Sequence, residues 1–128
     1  MKEAERTQYS IKPDALLNLG NGCWYYNYDI QPYEVEVAPR GEEKTGSKET
    51  RYSFIQVRIS GKPTYKKCVE LIIRQYITQS QEFDLINSYN KAALNMLSEE
   101  ETEKACADYL EYLHKLDEIK TNIKKDFK

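Results

Sequence analysis

The feature that most constrains this chain is a pair of extended runs in which the apolar side chains change parity partway along. In "CWYYNYDIQPYEVEV", residues 23 to 37, the even positions Trp24, Tyr26, Tyr28 and Ile30 are apolar while the odd ones include Asn27 and Asp29. Past Pro32 the order inverts, with Tyr33, Val35 and Val37 odd and Glu34 and Glu36 even. Successive side chains on a strand point to opposite faces, so the apolar side is expected to swap. A second run, "RYSFIQVRIS" at 51 to 60, changes in the opposite sense, from Tyr52 and Phe54 to Ile55, Val57 and Ile59. An antiparallel hairpin with Val37 opposite Tyr52, Val35 opposite Phe54 and Ile30 opposite Ile59 puts both changes at one height. The expectation is therefore a hairpin over residues 23 to 60, closed by a flexible charged loop at 38 to 50, with Pro32 at an edge or bulge near the crossover. Its tip would present Tyr33, Val35, Val37, Tyr52 and Phe54 as one apolar patch, left for the N-terminal segment or for another chain.

The segments on either side read more locally. Two glycines flanking Asn21 tolerate positive φ and mark a turn, so a strand should open just after "GNG". Within the N-terminal segment, 1 to 22, "PDALLNL" suggests a short helix with Pro13 in its first turn. Residues 64 to 128 read as helical. "PTYKKCVELIIRQYIT" has apolar residues at helical spacing behind Thr64 as N-cap, and "SQEFDLINSYNKAALNM" gives a second amphipathic stretch. The third opens with Ser98 three residues before Glu101, a capping-box spacing, and carries acids in its first turn and lysines in its last, as the helix dipole favours. Along it Ala105, Tyr109, Tyr112, Leu116, Ile119 and Ile123 form a heptad stripe that suits a coiled coil between chains. Cys106, Leu110 and Leu113 widen the stripe, which favours packing within the chain.

A chain of 128 residues with 40% hydrophobic side chains suits one domain, 1 to 128. The fold class expected is α+β: a long antiparallel β-hairpin packed on two helices plus a long C-terminal helix. Nineteen basic and twenty-one acidic residues leave a net charge of −2, which supplies no long-range field to attract nucleic acid or an anionic membrane. No run approaches the roughly twenty apolar residues of a membrane span, and "MKEAERTQYS" lacks the apolar core of a secretory signal, so a cytoplasmic protein is expected. Cys23, Cys68 and Cys106 lack paired spacing and are expected to be small buried hydrophobes rather than a disulfide or zinc framework.

The catalytic inventory is thin. His114 is the only histidine and falls at the edge of a polar helical face. A Ser or Cys nucleophile needs a base beside it, and no candidate has a marked setting. The acids at 99 to 103 have a structural reason in the first turn of a capped helix, and the five glycines form no phosphate-cradling loop. No enzyme activity, cofactor or metal is expected.

Binding readings remain. Aromatics on a sheet with Arg58, Lys62, Lys66 and Lys67 nearby could form a small nucleic-acid module, and lysines in a helix's first turn hint at an anion there. Glu34, Glu36 and Asp29 among the aromatics argue against it, because they repel phosphate. Tyr suits core and interface packing instead, with its large area and polar tip. A small protein inhibitor of a host enzyme is a third class, since inhibitors need no motif of their own.

"VELIIRQYITQSQEFDLINSYNKAAL", residues 69 to 94, resembles a segment of small tail-associated proteins of phages and prophages. "WYYNYDIQ" and "SFIQVRISGKPTY" resemble short uncharacterised prophage proteins that join a β-hairpin to a helical C-terminal part. The resemblance implies a non-enzymatic virion or assembly component that acts through protein–protein interaction, either self-association or docking on a larger structure, and it supplies no functional residues.

Overall fold

The computed structural model describes residues 1 to 38 and 46 to 127. Seven elements follow in order: strands β1 (Thr7–Tyr9), β2 (Leu16–Gly20), β3 (Cys23–Val37) and β4 (Ser47–Ser60), then helices α1 (Tyr65–Ile73), α2 (Gln79–Ala93) and α3 (Glu99–Asp126). The class is α+β. The chain divides into two compact units, Glu5–Cys68 and Met1–Ala4 with Val69–Lys128, and the division falls inside α1.

In the first unit the four strands form one antiparallel sheet in the order β1-β4-β3-β2. The expected turn is present, with positive φ at Gly20, Asn21 and Gly22, and β3 opens at Cys23. The segment read as a short helix is instead β2, with Leu16 opposite Tyr26 and Leu17 opposite Tyr25. Pro13 lies ahead of that strand rather than opening a helix. The Gly-Asn-Gly turn folds the leucines straight back onto β3, and hairpin closure overrides their helix propensity.

The β3–β4 register differs from the expected one. Ile59 pairs with Trp24 rather than Ile30, and Tyr52 with Pro32 rather than Val37. Residues 47 to 50, expected as loop, are strand and pair with Val37 to Glu34; residues 39 to 45 of the expected loop lie outside the described residues. Between the pairs Tyr28–Ile55 and Gln31–Ser53 the register slips, so that Asp29 and Ile30 share the place opposite Phe54. This is a β-bulge, and Asp29 adopts φ +54°, a left-handed conformation that Asp tolerates better than most residues.

The bulge explains the parity change on β3 without any change of face. One inserted residue makes the odd positions after it continue the side held by the even positions before it. Tyr26, Tyr28, Tyr33, Val35 and Val37 therefore share one face with Ile59, Val57, Ile55, Arg51, Glu49 and Ser47. Along this face Tyr26, Tyr28, Ile55, Val57 and Ile59 are buried. On β4 the parity change is real. Phe54 and Tyr52 point to the opposite face, where Phe54 is fully enclosed at 0% exposure.

Topology supplies the cover for Phe54. β1 lies at the β4 edge and β2 at the β3 edge, so residues 10 to 15 must cross one face of the central hairpin. Asn27, which shares the Phe54 face through its pairing with Gln56, donates its Nδ2 to the Asp14 carbonyl at 2.8 Å and accepts from Gln56 Nε2 at 3.0 Å. The crossing therefore runs over that face. Asn27 is the buried polar residue of the sheet, and both hydrogen bonds offset its desolvation.

In the second unit α2 and α3 pack on each other. Thr78 caps α2 in a reciprocal box: its hydroxyl accepts from Gln81 N at 3.1 Å while Gln81 Oε1 accepts from Thr78 N at 3.0 Å. At α3 the Ser98 hydroxyl accepts from Glu101 N at 3.2 Å, but the Glu101 carboxylate takes the Ser98 hydroxyl proton, at 2.8 Å, in place of the backbone N–H of a full capping box. Ala105, Tyr112, Ile119 and Ile123 of the heptad stripe are buried within the chain, as the intrachain reading expects. Cys106 and Leu110, which suggested that reading by widening the stripe, are exposed. Of the three cysteines only Cys68 is buried, because Cys106 faces away from the stripe and Cys23 sits at a strand end.

Candidate functional site

Among the described residues, neither strand has a further strand neighbour beyond Asp29 on β3 or on the N-terminal side of Tyr52 on β4. β2 pairs only with residues 23 to 26 of β3, and β1 only with residues 52 to 54 of β4. Among the described residues, 31 to 37 and 47 to 51 are thus a two-stranded ribbon without a third strand. Tyr33, Val35 and Val37 lie on one face, half-buried, opposite Arg51, Glu49 and Ser47. Glu34, Glu36, Lys48 and Thr50 lie on the other, exposed, with Lys48 Nζ 3.9 Å from Glu34 Oε2.

The five residues expected to form the tip patch are therefore divided. Tyr33, Val35 and Val37 remain together on the ribbon. Tyr52 is on the reverse face beside Pro32, and Phe54 is core beneath the N-terminal crossing. The Tyr33 hydroxyl is shielded from solvent and has no hydrogen-bond partner among the described residues.

A feature that sequence reading missed fixes where the ribbon begins. Arg6, just before β1, spreads its guanidinium over the bulge. Nη2 donates to the Asp29 carbonyl at 2.6 Å and the Ser53 carbonyl at 3.0 Å, Nε to Ser53 Oγ at 3.0 Å, and Nη1 to Asp29 Oδ2 at 3.1 Å. Gln31 Nε2 also donates to Asp29 Oδ2, at 2.9 Å. A left-handed bulge leaves backbone carbonyls pointing off the ladder, and a planar five-donor fork is suited to collect them. Only an Asp or Asn before an inverted parity pattern could have signalled the bulge, and nothing local names Arg6.

Of the four cations expected to bind an anion, Lys67 and Arg58 have hydrogen-bond partners within the chain. Lys67 Nζ donates to the carbonyls of Ser60 at 3.2 Å and Lys62 at 3.1 Å, tying the strand end to the helix start, and Gly61 between them has φ +80°. Its charge already has partners. Arg58 is exposed and donates to Cys23 Sγ at 3.4 Å, while Lys62 and Lys66 are exposed. Thr64 caps α1 as expected, its hydroxyl accepting from Lys67 N at 3.3 Å.

The helical unit holds a polar chain that sequence spacing shows only in part. Glu70 on α1 and Arg74, just past its end, form an ion pair at 3.0 Å, and Arg74 Nη2 lies 3.1 Å from Glu82 Oε1. Glu82 Oε2 accepts the hydroxyl proton of Tyr112. Burial favours the neutral acid at Glu82, but the Tyr112 hydroxyl and the Arg74 guanidinium outweigh it and hold the carboxyl below the usual range. Burial, then the neighbouring carboxylate, push the Tyr112 phenol well above its ordinary value. A phenol kept protonated against a carboxylate is a structural arrangement and a poor proton donor. Lys115 Nζ sits 4.3 Å from the Tyr76 ring centroid, in cation–π range. A cavity of about 650 Å³ in the same unit is bordered by Lys2, Lys91 and Lys104 and by Asp84, Glu101 and Asp108, a balance that selects neither anion nor cation.

His114 is exposed on α3. Among the described residues no three His, Cys, Asp or Glu side chains gather as a metal site, and no helix is long and apolar enough to cross a membrane. No protein-family model, curated protein or solved structure matches the chain.

Proposed function

We propose that this is a non-enzymatic interaction protein whose β3–β4 ribbon is the arm that engages a partner protein. The supporting observation is the ribbon itself: two strands continue past β1 and β2, with Tyr33, Val35 and Val37 on one face beside Arg51 and Glu49, and Glu34, Glu36 and Lys48 on the other. An isolated two-stranded ribbon is marginal in water, and one with an apolar face and open edges gains most by pairing with another sheet or seating on an apolar surface. Pro32 and the glutamates guard the arm against indiscriminate edge pairing. The context proposed is a phage-derived assembly, which rests on the resemblance of residues 24 to 31, 53 to 65 and 69 to 94 alone. Nucleic acid is the weaker reading, because Lys67 is committed to backbone carbonyls and acidic residues cover one face of the ribbon.

The test is a photo-crosslinking residue at Glu49, the exposed cross-strand partner of Val35, in cells carrying the native gene neighbourhood. The expected result is one dominant adduct with another polypeptide, lost when Val35→Asp and Val37→Asp are introduced together while the fold is unchanged by circular dichroism. Adducts confined to the chain itself, or a salt-sensitive oligonucleotide complex in their place, would overturn the proposal.

A further inference from the structure

Helix α3 carries a second heptad stripe beside the buried one. Glu99, Glu103, Cys106, Leu110, Leu113, Asp117, Lys120 and Lys124 step by 4, 3, 4, 3, 4, 3, 4 along the helix. At roughly 100° per residue they stay within one third of its circumference. All are exposed except Leu113, which is half-buried, and Leu110 is 54% exposed. A solvated helical face has no need of two leucines and a cysteine at its centre.

The order of charges along this stripe names its occupant. Acids stand at its N-terminal end and lysines at its C-terminal end, equidistant from a point between Glu111 and Tyr112. When a second copy of α3 is laid antiparallel about that point, Glu99 meets Lys124, Glu103 meets Lys120, Cys106 meets Asp117 and Leu110 meets Leu113. Each meeting occurs twice. The alternating steps make every meeting one of an a position with a d position, the arrangement that antiparallel knobs-into-holes packing uses. Parallel packing would set Glu on Glu and Lys on Lys.

We propose that α3 is a self-recognition surface through which two copies of this chain associate, antiparallel and about a two-fold axis beside Glu111 and Tyr112. The interface is isologous and therefore closes at two. Its apolar centre is short and its four ion pairs are exposed, so the dimer is weak and salt-sensitive. This surface shares no residue with the β3–β4 ribbon, and Val35→Asp with Val37→Asp changes none of its residues, so the two proposals fail independently.

The experiment uses the full chain. Sedimentation equilibrium of the wild type is expected to show a monomer–dimer equilibrium that weakens with salt. Glu103→Lys, which sets Lys against Lys twice per dimer, weakens it by roughly five- to thirtyfold. Adding Lys120→Glu restores it, although the two positions lie about 26 Å apart along one helix and cannot pair within a chain. Independently, mild oxidation of Asp117→Cys yields a covalent dimer in which Cys106 of one copy is joined to the introduced thiol of the other, and Cys106→Ser abolishes it. A wild type that stays monomeric at millimolar concentration, a double charge variant no tighter than the single one, or a disulfide between like positions would overturn the proposal.

Discussion

Tyr112→Phe isolates the most consequential polar contact of the helical unit. The substitution keeps the ring, which stacks on Tyr109 with centroids 6.2 Å apart and planes 18° from parallel, and removes only the hydroxyl that donates to Glu82. A hydrogen bond to a charged acceptor contributes about 1.5–3 kcal/mol. Arg74 stays on the Glu82 carboxylate, whose side chain is 17% exposed and so is partly rehydrated, which places the expected loss near 2 kcal/mol. With a urea m-value of about 1 kcal/mol/M for a unit of this size, the helical transition at 222 nm should move down by about 2 M.

The pH dependence follows from the two shifts. Glu82 is held below its unfolded value of about 4.3, so its contribution is complete above that pH and is lost as pH falls through the lowered folded value. Tyr112 is raised above its unfolded value of about 10, so its contribution is complete below pH 10 and is lost as pH rises toward the folded value. Glu82→Gln should therefore flatten the decline of stability below pH 4 as well as lowering the plateau at pH 7. A Tyr112→Phe loss under 0.5 kcal/mol, or a Glu82→Gln variant with the wild-type acid limb, would refute the assignment.

Phe54→Ala removes a fully enclosed ring beneath the N-terminal crossing and should cost about 3–5 kcal/mol of sheet stability by urea unfolding, whereas Val35→Asp on the half-buried ribbon should cost about 1 kcal/mol. Comparable losses at the two sites would contradict the divided placement of the tip residues. Arg6→Ala should cost about 1–3 kcal/mol and raise amide exchange at β1 and at the bulge first, measured by hydrogen exchange with mass spectrometry. Uniform exchange across the whole sheet would show that Arg6 does not act at the bulge.

Much of the molecule was legible because its signals are local. The Gly-Asn-Gly turn needs only positive φ at three residues, Thr64 and Ser98 satisfy N–H groups a few positions away, and the stripe from Ala105 to Ile123 follows from helical period alone. The same stripe-reading placed Cys106 and Leu110 toward the chain's own core, because period gives an angle around the helix but not how wide the neighbouring surface is. Thr78 and Gln81 carried a readable capping box that the eye for apolar spacing passed over.

The sheet shows where sequence stops deciding. Parity after Asp29 reports that something changes, yet an inserted residue and a change of face leave the same trace in an alternating pattern. The register between β3 and β4 settles which it is, and that register is fixed by pairings up to 37 residues apart, Cys23 with Ser60, together with a guanidinium from outside both strands. The residue types along the chain determined that most of β3 and β4 is extended and that the three later segments are helical, whereas β1, β2 and residues 47 to 50 became strand only through the sheet they pair with. Only tertiary structure decided that Phe54 is core while Val35 is half-buried, because burial depends on the N-terminal segment crossing one face of the hairpin, and no interaction local to either residue encodes that path.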